Sequence, residues 1–247
     1  MGVNRIARNN NGVKTWGFSQ SSPRTYIHYF RFSKFGICAA LAAHWIKSNA
    51  VDEMGLPDRL GLTPTTQNVG PFSLRTYRSL NIGELIRIGR DFHTWTYGGG
   101  RQGPNIENWL IGQGLHQEYR WSTSEIDEAL NNFVVLPPGQ AAPARPPAPP
   151  INIKLVNALR KLKDAYAYIT FSGRRAGHAV SAWIADDRVN SDIGALFFDP
   201  NYGEYRFQSR NDFFDFFEEY YRHAYMSGWF IRFTRDWSVD AYTCKVW

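Results

Sequence analysis

Pro137–Pro150 reads PPGQAAPARPPAPP, seven prolines in fourteen residues. Proline lacks a backbone N–H and fixes φ, so neither a helix interior nor a central strand accommodates this run. It predicts an extended surface connection. The character of the sequence changes across it. Upstream, Gly36–Ser48 places Ile37, Leu41 and Trp45 at helical spacing among alanines, and segments 63–92 and 104–133 carry further helical phrases. One of these starts at Asn81; another follows Ser122, where Glu125 completes a capping box. Downstream, after an amphipathic helix at Ile151–Lys163, short apolar runs predict strands at 166–171, 178–185, 195–199, 204–207 and 229–234. An aromatic helix over 213–225 interrupts them. Helices before the connection and mostly strands after it predict an α+β chain, with a helical N-terminal lobe and an antiparallel-sheet C-terminal lobe. Residues 1–25, rich in Asn, Ser, Gly and Arg, predict a flexible basic leader. Residues 26–247 then form a single domain with 137–150 as a surface insert.

Composition narrows the class. The 247 residues are 43% hydrophobic and 20% charged, which excludes a mostly disordered chain. No run approaches the ~18 apolar residues of a spanning helix, and Met1–Gly12 has no apolar core, so neither stable membrane insertion nor an ordinary signal peptide is expected. The net charge of +6 is uneven: residues 1–51 hold Arg5, Arg8, Lys14, Arg24, Arg31, Lys34 and Lys47 and no acid. Aromatics reach 16%, yet they fall at core spacings away from the basic cluster, so nucleic-acid binding is not expected. Gly98–Gly103 (GGGRQG) matches GxGxxG but lies in a helix-rich setting without a βαβ series, and it reads as a loop. No CxxC, HExxH or Ca²⁺-loop pattern is present, and no metal or cofactor is expected.

Only two cysteines occur, too few for a disulfide framework. Cys244 lies beyond the last strand read from the pattern. Cys38 falls in the first turn of the helix opened by Gly36, where unpaired N–H groups and the helix dipole favour a thiolate; alternatively it is a small buried hydrophobe. In Gly177–Ile184 (GHAVSAWI), alternation puts His178, Val180, Ala182 and Ile184 on one face. The next strand, Gly194–Asp199, ends in an acid before Pro200-Asn201-Tyr202-Gly203. Antiparallel pairing across 186–193 sets 180 opposite 199, making His178 the diagonal neighbour of Asp199; a register slip of two sets the pair directly opposite each other. Alone, that pair reads as an ordinary ion pair at a strand end. With Cys38 it supplies a nucleophile, a base and an orienting acid.

A helix-borne cysteine followed by His and Asp on later strands resembles the papain-like cysteine peptidases. More closely, Gly36–Ile46 (GICAALAAHWI), Gly177–Val180 (GHAV) and Phe198–Tyr205 (FDPNYGEY) resemble the three blocks of the YopT/AvrPphB family, bacterial cysteine proteases delivered into host cells by type III secretion. The resemblance spans about residues 30–235. It implies a papain-like fold, no cofactor, Cys38 as nucleophile, His178 as general base and acid, and Asp199 as the group that orients the imidazole. It also implies a location in the host-cell cytoplasm, autoprocessing of the leader, and a host signalling protein as substrate, either a small GTPase or a kinase. The Gln or Asn that usually precedes the cysteine by five or six residues is replaced by Ser33 and Phe32, which leaves Ser33 or Gln20 to complete the oxyanion hole. The same triad also suits a deamidase, transglutaminase or acyltransferase toxin, and an inactive binding module retains the same fold.

Overall fold

The architecture is organised around a seven-stranded antiparallel sheet, seen in a computed structural model that describes residues 2–34, 36–69, 72–77, 79–99, 101–123, 149–174, 176–186, 192–227 and 233–244. In chain order the elements are α1 (Val3–Asn9), β1 (Val13–Trp16), α2 (Pro23–Tyr29), α3 (Cys38–Ala50), α4 (Leu56–Arg59), β2 (Pro64–Val69), β3 (Phe72–Tyr77), α5 (Ile82–Tyr97), α6 (Gln102–Gly112) and β4 (Leu115–Ser122). They continue with α7 (Ile151–Arg160), β5 (Ala165–Ser172), β6 (Gly177–Ile184), β7 (Ala195–Asp199), β8 (Gly203–Phe207), α8 (Arg210–Tyr221), a π-helical turn (Arg222–Met226) and β9 (Trp237–Cys244). The sheet order is β1-β8-β7-β6-β5-β9-β4, and β2 and β3 form a separate hairpin. No helix among the described residues is long and apolar enough to cross a membrane.

Two apolar layers cover the sheet. On one face, Val180, Ala182, Ile184, Phe197 and Tyr205 pack under α1, α7 and α8. On the other, Tyr168, Ala179, Phe198 and Tyr242 pack under α3, α5 and α6. Helix α3 suits its place: alanine-rich and buried at every position from Ala39 to Ile46, it lets the backbone approach the sheet closely. Ser181 Oγ donates to the Ala42 carbonyl (2.8 Å), and Trp45 Nε1 donates to Glu204 (2.6 Å), pinning the helix across β6 and β8. Helix α8 opens on Ser209, whose hydroxyl caps the Asn211 and Asp212 N–H groups, and it presents Phe213, Phe216, Phe217 and Tyr220 to the sheet. The α+β class is therefore observed, with a cysteine-bearing helix lying across an antiparallel sheet.

Several expectations need correction. The first 25 residues are not a free leader: Val3, Ile6 and Ala7 are buried under α8, and β1 pairs with β8 at the sheet edge. Their polar composition belongs to the exposed sides of short elements. The N-terminal half is not only helical either. Residues 64–77 form the β2–β3 hairpin, and β4 pairs along β9 as the opposite sheet edge. β9 was not anticipated, although Trp237, Val239 and Ala241 alternate as a half-buried strand requires. Cys244 therefore ends an inner strand rather than following the last one. The GGGRQG run follows α5 and enters α6 at Gln102, so a helix precedes it and not the strand a dinucleotide site needs. The insert at 137–148, most of the 229–234 strand and the helix after Ser122 lie outside the described residues.

Candidate active site

Cys38, His178 and Asp199 converge at the end of β6 nearest the N-terminus of α3. The β6–β7 register runs Ser181↔Phe198 and Ala182↔Phe197, so position 180 falls opposite 199, as the alternation anticipates. His178 and Asp199 share the face covered by α8, while Cys38 arrives from the opposite face on the first residue of α3. His178 heads its strand after Gly177, and this end position lets a group from each face meet there.

The contacts are specific. His178 Nε2 lies 2.9 Å from Asp199 Oδ1, which leaves Nδ1 for the thiol. The fully buried Asp199 carboxylate also accepts from the Asn201 N–H (2.7 Å), the Tyr225 hydroxyl (2.6 Å) and the Tyr220 hydroxyl. Burial and the Asp199 charge hold both tyrosines protonated as donors. Tyr225 stacks on the imidazole with ring centroids 5.1 Å apart. These partners satisfy a carboxylate that would otherwise be costly to bury.

Electrostatics follow from this packing. Burial pushes the Cys38 thiol up, but the His178 charge and hydrogen bond, aided by the Ala179 and Ala39 backbone, bring it below the ordinary thiol value. Burial pushes His178 down, yet Asp199 and Cys38 outweigh it and raise the imidazole to about 10. Asp199, despite burial, is held below the usual carboxylate range by His178 and the two tyrosine hydroxyls. Opposite shifts in Cys and His are the signature of a thiolate–imidazolium pair.

The pair opens into a cleft of about 430 Å³ that includes Cys38, Phe92, Phe171, His178, Asp236 and Trp237 in its wall. Both residues considered for the oxyanion hole sit at the turn that leads into Cys38. Gln20 Oε1 accepts from the Ile37 N–H (2.9 Å), while its Nε2 donates one N–H to Asn201 Oδ1 (3.1 Å) and keeps the other. The Ile37 bond fixes the amide orientation, so the NH₂ faces away from it. Gly36 allows the close approach: its φ is +104°, and a Cβ there would meet Gln20 Oε1 at 3.0 Å. Ser33 instead donates to the Gly36 carbonyl (2.6 Å) and closes the turn before α3. Tyr220, Tyr225 and Asn201 were missed as site residues. The tyrosines fall at core spacing, and nothing in a linear sequence marks a core hydroxyl as aimed at a carboxylate.

Residues 153–229 match the Peptidase_C58 family model, described as Yersinia/Haemophilus virulence surface antigen. The chain is 26% identical over 185 residues to cysteine protease yopT1 of Yersinia enterocolitica, covering 74% of this chain and 48% of that protein. It thus spans about half the length of the curated relatives it matches. Among solved structures it is similar to the avirulence protein AvrPphB of Pseudomonas, with TM-score 0.49 and 11% identity over 84% of this chain and 91% of that one. A second is the YopT domain of the Pasteurella multocida PfhB2 toxin, with TM-score 0.23 and 19% identity over 88% and 89%. His178 and Asp199 both lie inside the matched segment, and the family that the chain resembles is that of the YopT-type cysteine proteases.

Proposed function

We propose that this chain is a cysteine endopeptidase using Cys38, His178 and Asp199. The observation that carries the reading is His178 held between a buried, triply supported carboxylate and a thiol on the first residue of a helix. The thiolate Sγ attacks a peptide carbonyl carbon. The developing oxyanion is received by the Cys38 N–H, which has no acceptor within its own helix, and by Gln20 Nε2. The imidazolium gives its proton to the leaving amine, and the amine departs from a thioester. A water that loses its proton to His178 then hydrolyses the thioester and restores the thiolate. Asp199 keeps the ring oriented and stabilises its charge throughout.

The likeness to proteins named cysteine protease YopT supports this chemistry and a host protein as substrate, reached after delivery into the host cell. The small GTPases and kinases implied by the family resemblance are the first substrates to try. The test is N-terminal labelling proteomics of host cells expressing the wild type or Cys38→Ala. New N-termini dependent on Cys38 support endopeptidase action. Cys38-dependent mass shifts without new termini replace it with deamidation or acyl transfer, and no Cys38-dependent change of either kind rejects catalysis.

A further inference from the structure

Helix α2 uses only one side for the core. Thr25 and Tyr29 are buried, whereas Tyr26, Ile27 and Phe30 are 36%, 62% and 49% exposed. At 100° per residue these three form one continuous stripe, with Arg24 and Arg31 along its edge. The Tyr26 and Phe30 rings lie 6.2 Å apart, and the Tyr26 hydroxyl donates to the Lys34 carbonyl, folding the next turn back toward the stripe. Arg24, Arg31 and Lys34 are all exposed. Residues 1–51 contain no acid to offset them. Two acids of α5, the helix packed against α2, are already engaged: Glu84 by Arg59 and Arg87, and Asp91 by His44 and Arg87.

We propose that this face docks on an anionic lipid bilayer surface. A convex helix that projects apolar side chains between long cations matches the interface of a charged membrane: the rings and Ile27 enter the acyl boundary, and the cations reach the headgroups. An acidic protein would match the cations but leave the projecting apolar stripe without a recess. Tyr29, on the buried side of α2, donates its hydroxyl to the Gln20 carbonyl (2.6 Å), and Cys38 follows Phe30 by eight residues. The buried side of the docking helix is therefore tied to the loop that carries Gln20, which in turn meets the turn before Cys38. The inference does not depend on the protease reading.

The test is co-sedimentation of the full 247-residue chain with vesicles of phosphatidylcholine alone or with about one-third phosphatidylserine, at about 0.1 M and about 0.5 M salt. Binding is expected only to the serine-containing vesicles and only at the lower salt. Neutralising Arg24, Arg31 and Lys34 to Gln should weaken it on the order of a hundredfold, from about fivefold per cation. Ile27→Glu/Phe30→Glu should abolish it while the melting transition is retained, since both side chains are already solvent-facing. Tyr119→Glu, exposed on the edge strand β4, should bind as wild type. Equal binding to both vesicle types, or α2 variants that sediment like wild type, overturns the proposal. Capture by soluble polyglutamate without vesicle binding overturns it too, in favour of an acidic protein partner. If the Glu pair fails to fold, the Gln triple variant decides alone.

Discussion

Tyr225 serves His178 twice: its ring stacks on the imidazole, and its hydroxyl donates to the carboxylate that the imidazole contacts. Substitutions separate the two roles. Tyr225→Phe keeps the ring and removes one hydrogen bond to a charged group, a loss of about 1.5–3 kcal/mol in such settings. Asp199 retains Tyr220 and Asn201, so a fall of about tenfold in kcat is expected, with KM little changed. Tyr225→Ala also removes the stacking wall and should lose more. A Tyr225→Phe enzyme with wild-type kcat and pH profile would show that the hydroxyl supports folding only.

The two cysteines are shifted in opposite directions. Cys38 is lowered by His178, whereas Cys244, exposed at the end of β9, is raised by partial burial and the nearby Asp164 carboxylate. Iodoacetamide at pH 7 should therefore label Cys38 at least tenfold faster, because the thiolate is the reacting form. Peptide mass spectrometry over a time course reads this directly. In His178→Ala the advantage should disappear, since the main cause of the lowered thiol value is gone. Equal rates in the wild type would mean a buried, unactivated Cys38.

The same shifts set a pH window. The proposed mechanism requires the thiolate and the imidazolium together, so kcat/KM should rise with thiol ionisation below its ordinary value of 9.0 and fall as His178 deprotonates near 10. A rate still climbing in proportion to hydroxide at pH ~9 contradicts the ion pair. Stability carries the matching sign. His178 binds its proton more tightly when folded, so its contribution is complete below the unfolded value of ~6.5 and is lost as pH rises toward about 10. Cys38 behaves oppositely: its contribution is complete above the unfolded thiol value and is lost as pH falls through its lowered one. Denaturation midpoints of wild type and His178→Ala across this range should converge at the alkaline end.

How much was legible follows from how local each signal is. The β6–β7 register could be read because two alternating runs bracket a short connection, and a one-residue slip would turn Val180 and Phe197 away from the core. Cys38 could be placed because a glycine followed by alanines marks a helix start. β1, β4 and β9 escaped notice because their partners lie far away in sequence, as with Val13 against Arg206 and Leu115 against Cys244. Gln20 sits in an aperiodic loop, tied by its backbone N–H to the Pro200 carbonyl, and no pattern announces that closure.

Integration of the N-terminus has a measurable consequence. Ile6 is fully buried in the cluster under α8, and Val3 and Ala7 accompany it. Ile6→Ala should destabilise the protein by about 2–5 kcal/mol in urea unfolding, the range for a large-to-small change in a packed core. A flexible arm would give no change in midpoint. Asn4→Ala, which removes the acceptor of the Tyr205 hydroxyl bond (2.6 Å), should lose less, about 1 kcal/mol.

Gln20 offers the sharpest division between binding and catalysis. Its carboxamide is held at Oε1 by the Ile37 N–H and at Nε2 by Asn201 Oδ1, and its backbone by Pro200 and Tyr29, so in the proposed mechanism the remaining Nε2 N–H is a fixed donor. An aligned donor acts on charge that develops after attack, not on the ground-state carbonyl. Gln20→Ala is therefore expected to lower kcat on the order of 10²–10³-fold with little change in KM. Cys38 alkylation should be nearly unaffected, because that reaction develops no oxyanion at the site. Gln20→Glu should be at least as poor, since a carboxylate repels the developing charge while retaining the Ile37 contact. If Gln20→Ala instead raises KM at constant kcat, Gln20 binds substrate in its ground state and the oxyanion assignment is withdrawn.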